Sequence, residues 1–323
     1  MAHSSHPERA FPRDSSVDGA AGRSAAINLL ISLRPGQWTK NLIVFAALIF
    51  GQRLTDPSAA GLAGAAFVVF CALSGAIYLI NDVIDRDQDR LHPFKARRPI
   101  ASGALGTRPA LLAALFLGAL ALGVAFRIRP AFGGIAAAYL LLLLAYSGGL
   151  KHEVILDVLT IAIGFVLRAV GGGVAIAVPI SNWLLVCTVL LALFLGLSKR
   201  RHELVLLTDG ATGHRPVLEA YSSYLLDQMI GVVTASTLMA YIFYAISTET
   251  AQRFGTSLLG FTIPLPLYGI FRYLYLVHQE EKGGSPGELL LSDRPLLLCV
   301  ALWGAAVILI IYRPFGSWPR AWL

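Results

Sequence analysis

Apolar stretches long enough to cross about 30 Å of hydrocarbon recur along the chain, each closed by a cluster of charged or turn-forming residues. They fall near 37–54, 59–81, 108–126, 130–147, 154–176, 181–198, 225–247, 256–277 and 295–312, and so predict nine transmembrane helices. The expected fold class is therefore all-α, a polytopic membrane bundle. Residues 1–25 break the pattern, mixing both charge signs with Ser, Gly and Pro and offering no apolar core of signal length. They are expected to form a disordered tail ahead of a single domain spanning 26–323.

Composition narrows the class. A chain that is 56% hydrophobic and 14% charged, with a mean hydropathy of +0.68, is no ordinary soluble domain. Cys71, Cys187 and Cys299 all lie inside apolar runs, which points to reduced packing residues rather than a disulfide framework. Charge then sets the orientation. Of 26 Lys and Arg, nineteen fall on the side that holds the N-terminus and six on the other, while Arg168 lies within a span. The positive-inside rule makes that richer side cytoplasmic, and the expected location is the cell's plasma membrane. The net charge of +7 suits anionic lipid and phosphorylated substrates rather than nucleic acid.

The cytoplasmic ends of the spans carry the chemistry. Tyr78 to Pro99 places carboxylates and bases together at the end of a long apolar run. On a helix turning about 100° per residue, Asp82, Asp85 and Asp89 share one face, with Asn81 beside Asp85. Carboxylates so spaced repel unless a cation sits between them, and hard oxygen ligands suit Mg²⁺ shared with a substrate phosphate. Lys95 and Arg98 follow at once, able to bind the same anion. The plain alternative is a solvated acidic helix end balanced by its own arginines. In Leu33 to Asn41, a Pro-Gly break precedes Trp38, an interface anchor, and then Lys40 and Asn41 at the level of the acidic face.

Two further clusters lie on the same side. Lys151, Glu153 and Asp157 border the fifth span, and Arg168 lies about 16 Å from Asp157 on the same helical face. An arginine at that depth needs a cavity or a partner. We read it as lining a hydrated pocket that Asp157 also faces, against the alternative that it bonds backbone carbonyls. Gly171-Gly172-Gly173 permits close helix approach or a break. The sixth span ends in Lys199-Arg200-Arg201-His202-Glu203, where Lys199 and Glu203 share a face. Such basic clusters often serve only as topology signals, but Glu203, Tyr221, Tyr224 and Asp227 bordering the next span ask for more. The connection 204–224, with Gly210, Gly213 and Pro216, is read as a cover.

Asn81-Asp82-x-x-Asp85-x-x-x-Asp89 resembles the first aspartate-rich motif of the UbiA superfamily of intramembrane prenyltransferases. The likeness extends to one branch, the decaprenyl-phosphate phosphoribosyltransferases. It is carried by Arg34-Pro-x-Gln-Trp-x-Lys40-Asn41, His92-Pro-x-Lys95-x-x-Arg98-Pro-Ile-Ala-x-Gly103, Lys151-His152-Glu153 with Asp157, Gly164-Phe-x-Leu-Arg168, Ser198-Lys199-Arg200-Arg201-x-Glu203 and Asp293-Arg294-Pro295. The resemblance implies a nine-helix bundle with a cytoplasmic active site and Mg²⁺ held by Asp82, Asp85 and Asp89. It also implies phosphoribosyl pyrophosphate as donor and a polyprenyl phosphate as acceptor. In the wider superfamily a second aspartate-rich motif follows the sixth helix; here the place is mostly cationic, which suits a donor carrying an extra 5-phosphate. Asp85, Lys95, Lys151 and Arg168 are the implied catalytic groups. Lys40, Asn41, Asn81, Arg98, Asp157, Lys199, Arg201, Glu203 and Asp227 are the implied substrate contacts. Retention of the first motif leaves a prenyl diphosphate donor as the alternative. A transporter is less in keeping, because the charged groups gather at one membrane face rather than at the midplane. Homo-oligomerisation stays open.

Overall fold

The computed structural model describes residues 24–92, 95–208, 216–280 and 286–312. All regular structure among these is helical. Helix α1 (Ala25–Ser32) leads into a 3-10 helix (Pro35–Phe45, the entrance helix) continued by α2 (Ala46–Phe50). Then come α3 (Pro57–Ile84), α4 (Arg86–Leu91), α5 (Thr107–Ile128), α6 (Pro130–Gly148), α7 (Leu156–Ala175), α8 (Asn182–Thr208) and α9 (Ser223–Ile246). The chain ends with α10 (Thr248–Phe254), α11 (Pro264–His278), α12 (Pro286–Ser292) and α13 (Arg294–Tyr312).

Local chemistry starts and stops these helices as expected. Asp56 caps α3 by accepting from the backbone N–H of Ser58 and Ala59 at 3.0 and 3.2 Å, with Pro57 in the first turn. Arg129 alone separates α5 from α6, forcing an antiparallel pair. Large apolar side chains such as Leu112, Leu115 and Phe116 of α5 stay exposed, as a lipid-facing surface requires. The protein is a multi-pass membrane protein. Seven helices are long and apolar enough to span, or eight if the bent pair 248–278 counts as one.

The expected nine are therefore not all reproduced, for two local reasons. The span expected at 37–54 is largely 3-10 helix, whose rise of about 2 Å per residue covers the same depth with fewer residues. The one expected at 256–277 begins in a 105° bend, where Gly255 takes a left-handed φ of 64° and Pro264 restarts the helix. The tail up to Arg23, Gly210 and Gly213 of the expected cover, and the C-terminal segment beyond Tyr312 lie outside the described residues.

Successive long helices pack side by side, α3 on α5, then α5 through α9 in order, with the entrance helix wedged between α3 and α7. Phe70, Phe132 and Tyr139 stack edge-on at 5.1–5.9 Å in the core between α3 and α6. The glycine triplet gives close approach, since α7 continues unbroken to Ala175. A Cβ at Gly172 would lie 2.1 Å from the Val44 carbonyl oxygen, so backbone meets backbone here. Gly172→Ala is expected to cost about 1–3 kcal/mol by overpacking. Thermal melting in detergent checks this, and a variant melting with the wild type would show that the contact can yield. The three cysteines are free, and Cys71 and Cys299 are buried, as the apolar runs led us to expect.

Candidate active site

Because α3, α6, α8 and α11 end where the entrance helix, α7, α9 and α13 begin, nearly all charged clusters meet at one end of the bundle. The acidic half is built by the break between α3 and α4. Asp85 sits at that junction, closing α3 with a backbone hydrogen bond to Asn81 O at 2.8 Å. Asp82 and Asp89 are buried on either side. Arg34 Nη2 donates to Asp82 Oδ1 at 2.5 Å, and Arg98 Nη1 donates to the same oxygen at 3.1 Å and to Asp89 Oδ2 at 2.6 Å. Arg34 itself adopts a left-handed φ of 54° and stacks over Tyr78 at 4.7 Å, a strained conformation held by its partners.

The helical face expected of the three carboxylates is interrupted. Among the described residues no three His, Cys, Asp or Glu side chains close around a common point. The helix ends at Ile84, so the 100° relation between Asp82 and Asp89 lapses, and arginines neutralise both carboxylates. What remains is a suitable donor set. Asp82 and Asp89 each hold their arginines through one oxygen, and Asp85 makes no ion pair among the described residues. Hard carboxylate oxygens of this kind are the ligand type of a magnesium ion that completes its shell with substrate phosphate and water. Asn81 is half-buried beside them, and half-buried Lys95 follows on a short 3-10 turn, Lys95–Arg97. That loop is tied down by Arg90 Nε donating to Ala101 O at 2.9 Å and by buried Ile100 and Ala101.

The second half is organised by Arg200, 2% exposed. Its Nε donates to Asp157 Oδ2 at 2.7 Å, its Nη1 to Glu203, and its Nη2 to the Tyr146 hydroxyl at 3.5 Å. Tyr221 donates to Asp157 Oδ1 at 2.9 Å and accepts from the backbone N–H of Ile155 at 2.7 Å. The latter bond holds Ile155 at φ 69°, strained for a β-branched residue, where α7 begins. Burial and then the neighbouring carboxylate push the Tyr221 phenol up to about 12, so it remains an O–H donor at neutral pH. Asp157 was expected to face substrate with Arg168. At 0% exposure and with both oxygens engaged it is instead a positioning residue. Glu203 pairs with Lys199 at 3.7 Å, as their spacing indicated. Arg201 Nε donates to Asp227 Oδ1 at 2.5 Å, and His278 Nε2 lies 3.2 Å from the same oxygen. Lys151 is half-buried in the turn Leu150–His152.

Between the two halves lies a cationic zone. Accessible Lys40 is close enough to Lys199, Arg168 and Arg34 to feel their charges. Arg168, 7% exposed, donates from Nη1 to the Tyr139 hydroxyl at 2.7 Å and stacks over Phe165 at 4.3 Å, so it is not bonded to backbone carbonyls as the alternative supposed. Its Nε has no hydrogen-bond partner among the described residues, and neither does Oδ1 of Asn41, which is 1% exposed and donates from Nδ2 to Cys71 Sγ at 3.1 Å. Buried polar atoms are rarely left unpaired, so both are available to a bound group. Sequence reasoning overlooked Arg34, Tyr139, Arg200 and His278 as site builders. Arg34 and Arg200 stood within motifs that carry the family resemblance, whereas Tyr139 and His278 had no signal in the sequence.

The UbiA prenyltransferase family matches residues 41–287. The decaprenyl-phosphate phosphoribosyltransferase of Corynebacterium glutamicum is 34% identical over 304 residues, covering 90% of this chain and 88% of that protein. The enzyme of the same name from Mycobacterium tuberculosis is 33% identical over 282 residues, 85% of this chain and 91% of its own. Among solved structures, a UbiA homologue from Archaeoglobus fulgidus bound to GPP and Mg²⁺ aligns with a TM-score of 0.67 at 20% identity, covering 88% of this chain and 99% of that one. The last comparison speaks for the fold alone.

Proposed function

Starting from the fact that the chain belongs to the UbiA prenyltransferase family, we propose that it transfers 5-phosphoribose from phosphoribosyl pyrophosphate to a polyprenyl phosphate such as decaprenyl phosphate. The observation that carries this reading is the cationic zone between the two halves, Lys40 with Arg34, Arg168 and Lys199 nearby, which favours a substrate pair bearing more phosphate than a prenyl diphosphate alone. The relatives' names support a phosphoribosyl group as what is transferred and decaprenyl phosphate as acceptor.

In this reading Asp82, Asp85 and Asp89 would hold Mg²⁺, with Asn81 assisting. Such an ion supplies charge neutralisation on a leaving diphosphate. Lys95 and Arg98 donate to that leaving group, and Lys151, Lys40 and Arg168 orient the lipid phosphate. The bond from ribose C1 to the diphosphate oxygen breaks as a lipid phosphate oxygen bonds C1 from the opposite face. A phosphate monoester is already anionic near neutral pH, so no strong general base is needed. Lys199 and Arg201 receive the 5-phosphate, while Glu203 and Asp227 position ribose hydroxyls. Asn41 and Arg168 present one acceptor and one donor to the substrate from the buried side.

The site faces the cytoplasm, one domain over 26–323 carries it behind the tail 1–25, and the product feeds arabinose donors for cell-wall polysaccharide. Donor choice tests the proposal: phosphoribosyl pyrophosphate should support transfer and geranyl diphosphate should not. The reverse preference would return the chain to prenyl transfer.

A further inference from the structure

Arg34 and Arg98 both neutralise Asp82, yet they are held differently. Arg34 is fixed by a left-handed backbone ahead of Pro35, by the Tyr78 ring beneath it and by one carboxylate oxygen. Arg98 is anchored only through its backbone, whose N–H donates to Lys95 O at 2.9 Å and which continues into buried Pro99 and Ile100. Both side chains are 30% exposed, and in Arg98 a single nitrogen, Nη1, bridges Asp82 and Asp89. A guanidinium has five donors, so this one is far from its full bonding capacity.

We propose that Arg98 is an exchangeable counter-ion that makes metal binding and diphosphate binding mutually dependent. It neutralises Asp82 and Asp89 in the free protein, competes there with a divalent cation, and moves onto the diphosphate when the cation enters. The inference rests on the reading that this acidic half receives Mg²⁺ with a diphosphate. The charge count explains the coupling. Asp82 and Asp89 already balance Arg34 and Arg98, so an added divalent cation either displaces Arg98 or sits against it as a like charge. Displacement strands Arg98 beside a metal, unless an anion is at hand. A diphosphate supplies that anion with bidentate geometry and gives the metal its missing oxygens. Each ligand then raises the affinity of the other by the same factor. Asp85, outside the ion pairs, remains open to the metal throughout. Metal bound without donor, which could promote hydrolysis of a stray phosphate ester, is thereby disfavoured.

The test uses the full-length protein in detergent with Mn²⁺ as probe, read by the loss of its free-ion electron paramagnetic resonance signal, with and without inorganic pyrophosphate. Free Mn²⁺ is corrected for its complex with pyrophosphate. In the wild type, pyrophosphate should tighten Mn²⁺ binding at least about tenfold, within the usual range of coupling between sites. In Arg98→Gln, Mn²⁺ alone should bind several-fold more tightly than in the wild type, and pyrophosphate should add little. Arg98→Lys keeps the charge but not the bidentate fork, so it should keep the weak binding of metal alone and lose much of the enhancement by pyrophosphate, and it serves if Arg98→Gln does not fold. Equal Mn²⁺ affinity in wild type and Arg98→Gln, equal enhancement by pyrophosphate in wild type and whichever variant folds, or no Mn²⁺ binding in any of them overturns the proposal. No phosphoribosyl donor enters the experiment, so its outcome is separate from that of the donor-choice assay.

Discussion

Replacing Arg200 with methionine is expected to destabilise the protein by about 3–5 kcal/mol, the cost of leaving a buried charge without its partner. Asp157 is fully buried, and the Arg200 guanidinium is the one cation that reaches it among the described residues. Tyr221 would still donate to it, but a neutral phenol does not balance a carboxylate. Glu203 would lose a partner as well. Removing both members of the pair should be far less damaging, because replacing a buried ion pair by apolar or neutral groups is often nearly neutral. Arg200→Met combined with Asp157→Asn is therefore expected to recover most of the stability lost by Arg200→Met alone. A thermal melt in detergent, followed by intrinsic fluorescence, gives the double-mutant cycle. An Arg200→Met single variant melting with the wild type would show that the pair does not tie α8 to α7.

Asp85→Asn is expected to lower transfer about a hundredfold or more while leaving the melting temperature nearly unchanged. The magnitude is that of removing one preorganised electrostatic contact from an active site. Separation from stability follows from the ion pairs: Asp82 and Asp89 hold Arg34 and Arg98, whereas Asp85 holds neither. A half-buried carboxylate outside those networks contributes little to folding. Steady-state transfer together with a melt on the same preparation checks both halves. Full activity in the variant would remove Asp85 from the site, and a large fall in melting temperature would assign it a structural role instead.

What could be read from the sequence followed local rules, and what could not depended on contacts between distant segments. The apolar runs located the helices because membrane spans obey a length rule, and the charge clusters located the ends that carry the site. Helical spacing found the Lys199–Glu203 pair, which lies within one helix. It failed for Asp82, Asp85 and Asp89 because the helix breaks between them, and no local signal said that Arg34 would arrive from 48 residues away. Asp157 shows the same limit. Its place on a helix facing the site was legible, but its two partners, Arg200 and Tyr221, come 43 and 64 residues later. Arg168 at membrane depth was a sound signal for a polar environment. Tyr139 as the hydroxyl that accepts from it required knowing that α6 packs on α7. The first span was found by its length, but its 3-10 winding, which trades residues for rise, left no local signal.

The central claim is the identity of the donor and acceptor. The direct measurement is purified protein in detergent with decaprenyl phosphate and phosphoribosyl pyrophosphate labelled in the ribose, following label into the organic phase with Mg²⁺ and with chelator. We expect label in the lipid fraction in the presence of Mg²⁺ and none with chelator. No label in lipid from phosphoribosyl pyrophosphate, together with transfer when a prenyl diphosphate is the donor, would contradict it.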